Sequence, residues 1–255
     1  MIVVENLHKS FDGTPVLKGI STTFEKGKTN LIIGQSGSGK TVFLKSLLGL
    51  FTPEEGNIIY NGITYSEMDD DQKRELRQQM GMVFQGSALF DSMSVQENVM
   101  FPLKMFSKAP LSEMQDRVDF VLNRVKLTDA HHKFPSEISG GMQKRVAIAR
   151  AIVNKPQYLF CDEPNSGLDP KTAIIIDNLV QEITQEYDIT TVINTHDMNS
   201  VMEIGEKIVF LKDGHKAWEG SNKEIFRTDN EAVTNFVYSS ELFKKVRQMY
   251  IEERN

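Results

Sequence analysis

The feature that most constrains the fold is a glycine-rich segment, GQSGSGKT, at residues 34–41. It follows an apolar stretch at residues 29–34 and precedes apolar residues at helical spacing over residues 40–50, which predicts a strand, a glycine loop and a helix. Glycines let backbone N–H groups close around phosphate oxygens, and the loop lysine reaches the β and γ phosphates. The pattern therefore predicts an ATP site whose contacts are Gly34, Gln35, Ser36, Gly37, Ser38, Gly39, Lys40 and Thr41.

A second candidate feature is a pair of acids, Asp162 and Glu163, which follows the apolar residues 158–161. Parallel sheets present ligands at the carboxyl ends of their strands, so these acids are expected beside the glycine loop. Asp162 and the hydroxyl of Thr41 are suited to bind Mg²⁺. Glu163 is suited to polarise the attacking water as a general base. Adjacent acids alone usually face solvent, and the glycine loop is what favours a catalytic role for this pair.

Strand and helix patterns alternate along the chain, as in an α/β protein. Short apolar runs between Gly or Pro turns predict strands at residues 2–4, 16–24, 29–34 and 57–60. Later segments predict a helix from Gly141 to Val153, a strand at 158–161, a helix at 172–187 and a strand at 190–194. This alternation implies a parallel sheet with helices on its faces. Residues 208–218 predict a closing hairpin with its turn at residues 212–214.

Helix-forming, charged stretches interrupt this alternation from residue 69 onward, at residues 69–80, 95–106 and 111–125. We expect a helical subdomain at about residues 86–155, inserted into an ATPase domain of residues 1–220. A helical extension is expected at residues 221–255. Its apolar residues suit packing on the same domain and a dimer-stabilising arm equally well. They are Ile225, Phe226, Phe236, Val237, Leu242, Phe243 and Val246.

Composition argues against several classes of protein. A formal net charge of -6 disfavours a protein that wraps nucleic acid, so no nucleic-acid partner is expected. The single cysteine, Cys161, cannot form an intrachain disulfide and favours a reducing, cytosolic compartment. No apolar run approaches the ~18 residues of a membrane helix, and the N-terminus lacks a signal-peptide pattern. Any membrane role is therefore expected to act through partners.

A third segment, EISGGMQKR at residues 137–145, places Ser-Gly-Gly at the start of a predicted helix. It resembles the signature of ABC-type ATPases, and the acidic strand end that follows it continues as DEPNSGLD at residues 162–169. The order of motifs from residue 11 to residue 196 resembles the same family. The resemblance implies an α/β fold, a P-loop NTPase core of ABC ATPase type, with an N-terminal antiparallel β subdomain and an inserted helical subdomain.

The resemblance also implies roles that spacing alone does not assign. Gln85 resembles the glutamine that joins the core to the helical subdomain and binds Mg²⁺, and His196 resembles the family's switch histidine. With Lys40 and Glu163, these two residues form the expected catalytic set. Phe11 occupies the position of the aromatic residue that stacks on adenine. The remaining implied nucleotide contacts are Ser139, Gly140, Gly141 and Asp169.

In this family the signature helix faces the γ-phosphate that the other subunit binds. A helix N-terminus offers amide donors and a positive dipole, which suit an anion. The resemblance therefore implies a head-to-tail homodimer that sandwiches two ATP molecules, with Mg²⁺ at each site. Met142 and Gly167 depart from the commonest residues of the family pattern, but the anion-binding amides remain.

A finer resemblance lies in residues 85–99, QGSALFDSMSVQENV, followed by FPL at residues 101–103. Together with the Ser-Gly-Gly-Met sequence, it is similar to the MlaF-type ATPases of Mce-linked lipid transporters. It implies ATP hydrolysis that energises phospholipid transport at the cytoplasmic face of the inner membrane. The implied partners are an integral membrane permease, an Mce-domain lipid-binding protein and a small cytosolic regulatory subunit. Two alternatives stay open: the ATPase of an importer for amino acids or other small solutes, and a soluble non-transport ABC ATPase.

Overall fold

Two β-sheets organise the computed structural model, which describes residues 1–238. The strands are β1 (Ile2–Phe11), β2 (Thr14–Phe24), β3 (Thr29–Gly34), β4 (Glu55–Tyr60), β5 (Ile63–Thr64), β6 (Met80–Val83), β7 (Tyr158–Asp162), β8 (Thr190–Asn194), β9 (Lys207–Lys212) and β10 (His215–Gly220). One sheet is antiparallel, in the order β2-β1-β4-β5. The other has the order β10-β9-β3-β8-β7-β6 and is parallel except between β9 and β10.

Helices separate most of the later strands. The α-helices are α1 (Lys40–Leu47), α2 (Asp70–Gln78), α3 (Val95–Phe106), α4 (Leu111–Arg124), α5 (Gly140–Ile152), α6 (Pro170–Glu186), α7 (Met198–Ile204), α8 (Asn222–Ile225) and α9 (Glu231–Val237). Helices α3, α4 and α5 follow one another between β6 and β7 and pack together. Within residues 1–238, no helix combines the length and the apolarity needed to span a membrane.

The parallel sheet brings distant segments to one edge. Strand β3 lies between β8 and β9, and β7 lies between β8 and β6. The register pairs Asp162 with Asn194, and Asn194 in turn with Ile32, two residues before the end of β3. The carboxyl ends of β3, β7 and β8 therefore meet, which is where open α/β sheets bind their ligands.

Strand β7 shows how this sheet is buried on both faces. Tyr158 and Phe160 pack into a core shared with α1 and the antiparallel sheet, whereas Leu159 and Cys161 pack into the core formed with the later helices. Alternate residues of a strand point to opposite faces, so a continuous apolar run satisfies both cores. Burial raises the pKa of the Cys161 thiol well above its ordinary value, which disfavours the reactive thiolate.

Local caps fix where the helices begin. At α3, Ser94 N donates to the Glu97 carboxylate at 2.8 Å, and Glu97 N donates to Ser94 Oγ at 3.3 Å. This reciprocal capping box satisfies two backbone donors, and losing such a cap typically costs about 1 kcal/mol. At α6, Thr172 N donates to the Asp169 carboxylate at 3.1 Å, and Pro170 occupies the first helical position.

Most sequence-based elements are confirmed, and two are corrected. The predicted α/β class, the bounds of β3, β8 and α3, and the closing hairpin agree with the structure. The helical stretch expected at residues 69–80 is wrong at its end, since residues 80–83 form β6. A Cβ on Gly81 would lie 2.3 Å from Ala151 O, so glycine permits a close approach there that the pattern did not reveal. Helix α7 was not predicted.

The described part of the C-terminal extension packs on its own domain. Ile225, Val233 and Val237 are buried in the helical core, and the Phe236 ring lies 5.2 Å from that of Phe210 on β9. Leu242, Phe243 and Val246, which were also expected to contribute apolar surface, lie outside the described residues. A dimer-stabilising role for the extension stays a prediction.

Candidate active site

The glycine loop forms a curved backbone that leads from β3 into α1. Gly39 caps α1 at a φ of 100°, a conformation that L side chains rarely adopt. A Cβ there would also lie 3.0 Å from Leu17 Cδ2 and 3.2 Å from Val16 O. Glycine at this position therefore serves both the turn and the close packing of β2 on the loop.

Lys40 lies over the loop that precedes it. Its Nζ donates to Gly34 O at 2.9 Å and to Gln35 O at 3.1 Å. Burial lowers the pKa of Lys40, and the negative charges of Glu163 and Asp162 act in the opposite direction. The ammonium group is thus held inside the loop and is available to replace these carbonyl contacts with phosphate oxygens.

An open pocket surrounds the loop, with a cavity volume of about 620 Å³. This volume lies in the range of ~300–1,000 Å³ usual for small-molecule sites. The pocket also reaches Glu163 and His196 from the ends of β7 and β8. Its lining consists of Val16, Gly34, Gln35, Ser36, Gly37, Gly39, Lys40, Thr41, Val42, Glu163, His196 and Phe236.

Asn194 links two of the three predicted magnesium ligands, Asp162 and Thr41. Its Nδ2 donates to Asp162 Oδ1 at 2.6 Å and lies 3.4 Å from Thr41 Oγ1. Burial raises the pKa of Asp162, and the hydrogen bond from Asn194 opposes this rise. Among residues 1–238, the buried oxygens Ser38 Oγ and Asn194 Oδ1 have no hydrogen-bond partner. A hydroxyl, a carboxylate and unsatisfied oxygens beside the loop fit Mg²⁺, which prefers oxygen ligands.

Glu163 is held between two other predicted site residues. Its Oε1 lies 2.8 Å from His196 Nδ1, and its Oε2 accepts from Gln85 Nε2 at 3.1 Å. Gln85 Nε2 also lies 3.3 Å from Ser166 Oγ. The arrangement orients a carboxylate toward the phosphate pocket, where it can accept a proton from a water molecule. The structure thus brings together residues separated by more than a hundred positions.

Two basic side chains of α5 support the segment around Gln85. Lys144 Nζ donates to Gln85 O, and the Arg150 guanidinium donates to Ser87 O and Ala88 O, each at 2.8 Å. Lys144 is buried, and this burial lowers its pKa. Helix α5, which begins at the predicted signature, is therefore hydrogen-bonded to the segment that carries Gln85.

The predicted signature residues lie apart from the pocket lining. Ser139 caps α5 by accepting from Met142 N at 3.3 Å, and its side chain is exposed. A Cβ on Gly141 would lie 2.8 Å from Thr172 Cγ2, so the start of α5 approaches the start of α6 closely. Asp169, which caps α6, lies on this same surface. Ser139, Gly140, Gly141 and Asp169 thus share an exposed region outside the pocket of their own chain.

Phe11 also lies outside the pocket lining. Its ring, at the end of β1, is 38% exposed and meets the Phe51 ring edge-on at 5.1 Å. Lys9 Nζ lies 5.2 Å from the same ring. An exposed face leaves the ring free to stack on a base, so the adenine contact stays a prediction.

Several residues of the site were not predicted from the sequence. Asn194, Lys144, Val16, Val42 and Phe236 contact the pocket or its supporting segments, yet none was predicted to do so. Asn194 carried a usable signal, since it is a polar residue that ends an apolar strand close to His196. Phe236 and Lys144 carried none, because folding alone brings them to the site.

This fold and this site define a P-loop nucleoside triphosphatase. The family described as ABC transporter matches residues 17–166. The chain belongs to the ABC transporter family. The predicted fold class and the predicted enzyme class, an ATP hydrolase, are thereby confirmed.

Two sequence relatives extend over most of the chain. The probable ribonucleotide transport ATP-binding protein mkl of Mycobacterium tuberculosis is 38% identical over 236 residues, which cover 92% of this chain. The chain spans 66% of the length of that protein. The methionine import ATP-binding protein MetN of Carboxydothermus hydrogenoformans is 37% identical over 253 residues, which cover 96% of this chain and 75% of MetN.

A solved structure, that of the bacterial ABC transporter cassette MJ0796, resembles most of this chain. The dimeric form of that cassette superposes with a TM-score of 0.79 at 33% sequence identity, over 87% of this chain and 99% of the cassette. The same cassette is also known as a dimer in a post-hydrolysis state bound to ADP and Pi.

Proposed function

We propose that this chain binds and hydrolyses ATP to energise lipid transport through a partner permease. One observation supports the ATPase part above all others: Lys40, Glu163 and His196, from one helix start and two strand ends, line one pocket. Asp162 lies next to this pocket, where Asn194 connects it to Thr41. The similar cassette MJ0796 is known in a post-hydrolysis state bound to ADP and Pi, which supports the same reaction. ATP and water are the substrates, and ADP and phosphate are the products.

Each side chain has a proposed part in hydrolysis. Lys40 and the loop amides bind the phosphates, and Glu163 accepts the proton of the attacking water. His196 and Gln85 hold the Glu163 carboxylate in place, and His196 also lines the phosphate pocket. Thr41, Gln85 and Asp162 would hold Mg²⁺, with Asn194 beside them. When bound, Mg²⁺ neutralises charge that develops on the transferred phosphoryl group.

A second copy of the chain is proposed to complete each site. Ser139 and Gly140 are exposed at the start of a helix, outside the pocket of their own chain, which leaves their amides free for another nucleotide. The similar cassette MJ0796 is known as a dimer, which supports a dimeric assembly of this chain. Hydrolysis would separate the bridging phosphate from ADP, and the repelling products would open the dimer.

The proposed permease contact is an apolar groove next to the segment around Gln85. Its cavity volume is about 430 Å³, and its walls include the exposed rings of Phe84, Phe90 and Phe106. Arg150, which bonds to the carbonyls of Ser87 and Ala88, also lines it. Exposed aromatic clusters of this kind are typical of protein interfaces. A partner in this groove would contact Arg150, which holds the segment that carries the catalytic Gln85.

The lipid assignment rests on residues 85–103, which line or adjoin this groove and resemble the MlaF-type ATPases. The proposed partners are an integral permease, an Mce-domain lipid-binding protein and a small cytosolic regulatory subunit, with the chain peripheral on the cytoplasmic face of the inner membrane. Amino-acid import is the second candidate, because the relative MetN is named for methionine import. The relative mkl is named for ribonucleotide transport, which adds a third kind of cargo.

Purification from native membranes tests these partners. The tagged chain is expected to recover an integral permease together with an Mce-domain protein. Phe106→Asp is expected to lower that recovery at least tenfold, because loss of a central aromatic anchor costs about 2 kcal/mol or more, and about 1.4 kcal/mol is already tenfold in affinity. The matched control is Phe120→Asp, which changes an exposed helical phenylalanine outside the groove.

The outcomes distinguish lipid transport from amino-acid import and test the groove as the permease contact. Recovery of an amino-acid permease without an Mce protein would exclude the lipid assignment. Equal recovery by Phe106→Asp and the wild-type chain would exclude the groove as the permease contact. The ATPase rate of the isolated chain is expected to stay within twofold in both variants.

A further inference from the structure

A buried polar cluster adjoins the catalytic loops but takes no part in the contacts described above. Its members are Asn165, Asp177 and Ser200, which are 7%, 3% and 1% exposed. Ser200 Oγ donates to Asp177 Oδ2 at 2.7 Å, and Asn165 Nδ2 lies 3.1 Å from the same oxygen and 2.8 Å from Ser200 Oγ. A charge this deeply buried needs such hydrogen bonds to offset its desolvation. Asn165 Nδ2 also lies 3.4 Å from Asp197 Oδ2, so the cluster extends to the residue that follows His196.

Each member of the cluster belongs to a different element of the site. Asn165 lies two residues after Glu163, in the loop between β7 and α6. Ser200 lies four residues after His196, in α7, and Asp177 lies in α6. A cavity of about 540 Å³ opens beside this junction and is lined by Asn165, Asp177 and His196. Asp177 is thus the point at which the segments that carry the two proposed catalytic groups meet.

The contact between Glu163 and His196 needs such support. Glu163 has a φ of 46°, in the left-handed region that is strained for a residue other than glycine. The His196 side chain is 64% exposed and approaches Glu163 at 2.8 Å. A strained residue and an exposed ring keep one geometry only when the surrounding structure fixes both loops.

We infer that Asp177 is a positioning residue, whose carboxylate ties the loop after Glu163 to the helix after His196 and so holds these groups in contact. The inference rests on the proposed ATP hydrolysis, because it assigns the geometry of that reaction to a residue outside the lining of the phosphate pocket. Misplacing a catalytic group by about 1 Å can cost on the order of 10²-fold in rate. Within residues 1–238, no hydrogen bond or ion pair joins the phosphate loop to the cluster, so we expect ATP binding to be independent of it.

The protonation of Asp177 gives this role a pH dependence. Burial raises the pKa of Asp177 to about 6; hydrogen bonds from Ser200 and Asn165 oppose the rise, and the nearby carboxylates of Asp197 and Glu203 add to it. Above this pH the carboxylate accepts from both Ser200 and Asn165. Below it, one oxygen carries a proton and the neutral carboxyl is a weaker acceptor for Ser200 and Asn165, so the two loops are held less firmly. The turnover number should therefore fall as pH falls through about 6.

Steady-state ATPase kinetics of the full chain, from pH 5 to pH 8, test the inference. Asp177→Asn keeps the size of the side chain but removes its charge and one acceptor. We expect kcat at pH 8 to fall about 10- to 100-fold, with KM for ATP changed less than threefold. The inflection of kcat near pH 6 is expected in the wild-type chain and absent from Asp177→Asn. Ser200→Ala, which removes one hydrogen bond, should lower kcat in the same direction by a smaller factor.

Thr184→Val is the matched control, since Thr184 is another buried polar residue of α6 and bonds to Val180 O and Thr191 Oγ1 instead of the catalytic loops. Its kcat should stay within twofold of the wild-type value. A kcat within twofold in Asp177→Asn, an unchanged inflection, or an equal loss in Thr184→Val would each overturn the positioning role. Absence of turnover in the wild-type chain would instead refute the proposed ATPase function.

Discussion

Replacing Lys40 with alanine is expected to weaken ATP binding at least about 100-fold and to abolish hydrolysis. The Lys40 ammonium lies inside the glycine loop, where it bonds to Gly34 O and Gln35 O and can transfer to phosphate oxygens. Hydrogen bonds to charged groups are typically worth about 1.5–3 kcal/mol each, and the β and γ phosphates together offer at least two. Their loss amounts to a factor of 100 or more in the dissociation constant.

Calorimetric titration with Mg-ATP and a phosphate-release assay measure the two quantities. Lys45→Ala is the matched control, because Lys45 lies in the same helix but outside the pocket lining. That variant should keep the affinity for ATP within a few-fold of the wild-type value. Wild-type turnover in Lys40→Ala would refute the phosphate loop as the ATP site.

Glu163→Gln is expected to bind ATP normally and to hydrolyse it about 10²- to 10⁴-fold more slowly. The amide keeps the size of the side chain and its contact with Gln85 or His196, but it cannot accept the proton of the attacking water. Because the phosphate contacts of Lys40 remain, affinity should change little. The effect should therefore appear in kcat and leave KM nearly unchanged.

Single-turnover assays separate chemistry from product release in this variant. Glu182→Gln provides the control, since Glu182 is an exposed acid of α6 that pairs with Arg124, away from the pocket. Its kcat should match that of the wild-type chain. A kcat within threefold of wild type in Glu163→Gln would remove Glu163 from the proposed role of general base.

The parts of the site that could be predicted from sequence are those that one short segment encodes. The glycine loop could be recognised because its phosphate contacts lie within residues 34–41, and the Asp162–Glu163 pair because it ends an apolar strand. Helix α3 was predicted with its correct bounds, and the capping box of Ser94 and Glu97 accounts for its start. Roles for Gln85 and His196 came from family resemblance, and the structure places both against Glu163.

The remainder depends on contacts between distant segments. Asn165, Asp177 and Ser200 form their cluster only when β7, α6 and α7 pack together, and no periodicity in the sequence relates them. Strand β6 escaped prediction because it has four residues, two of them methionine and one glycine, with little β propensity. Lys144 reaches Gln85 because the end of β6 and helix α5 lie side by side, which the parallel sheet determines.

The central proposal is that each ATP binds between the glycine loop of one copy and Ser139–Gly141 of another. Light scattering of Glu163→Gln measures this directly, since blocked hydrolysis should preserve the sandwich. With saturating Mg-ATP, the particle mass should double from the 28.9 kDa of one chain, and without nucleotide it should return to that value. The double variant that also carries Ser139→Glu places a negative charge where the γ-phosphate of the other copy is proposed to bind. Its mass should stay at that of one chain, although Lys40 still binds ATP. A chain that binds ATP yet stays at 28.9 kDa in Glu163→Gln would contradict the shared site.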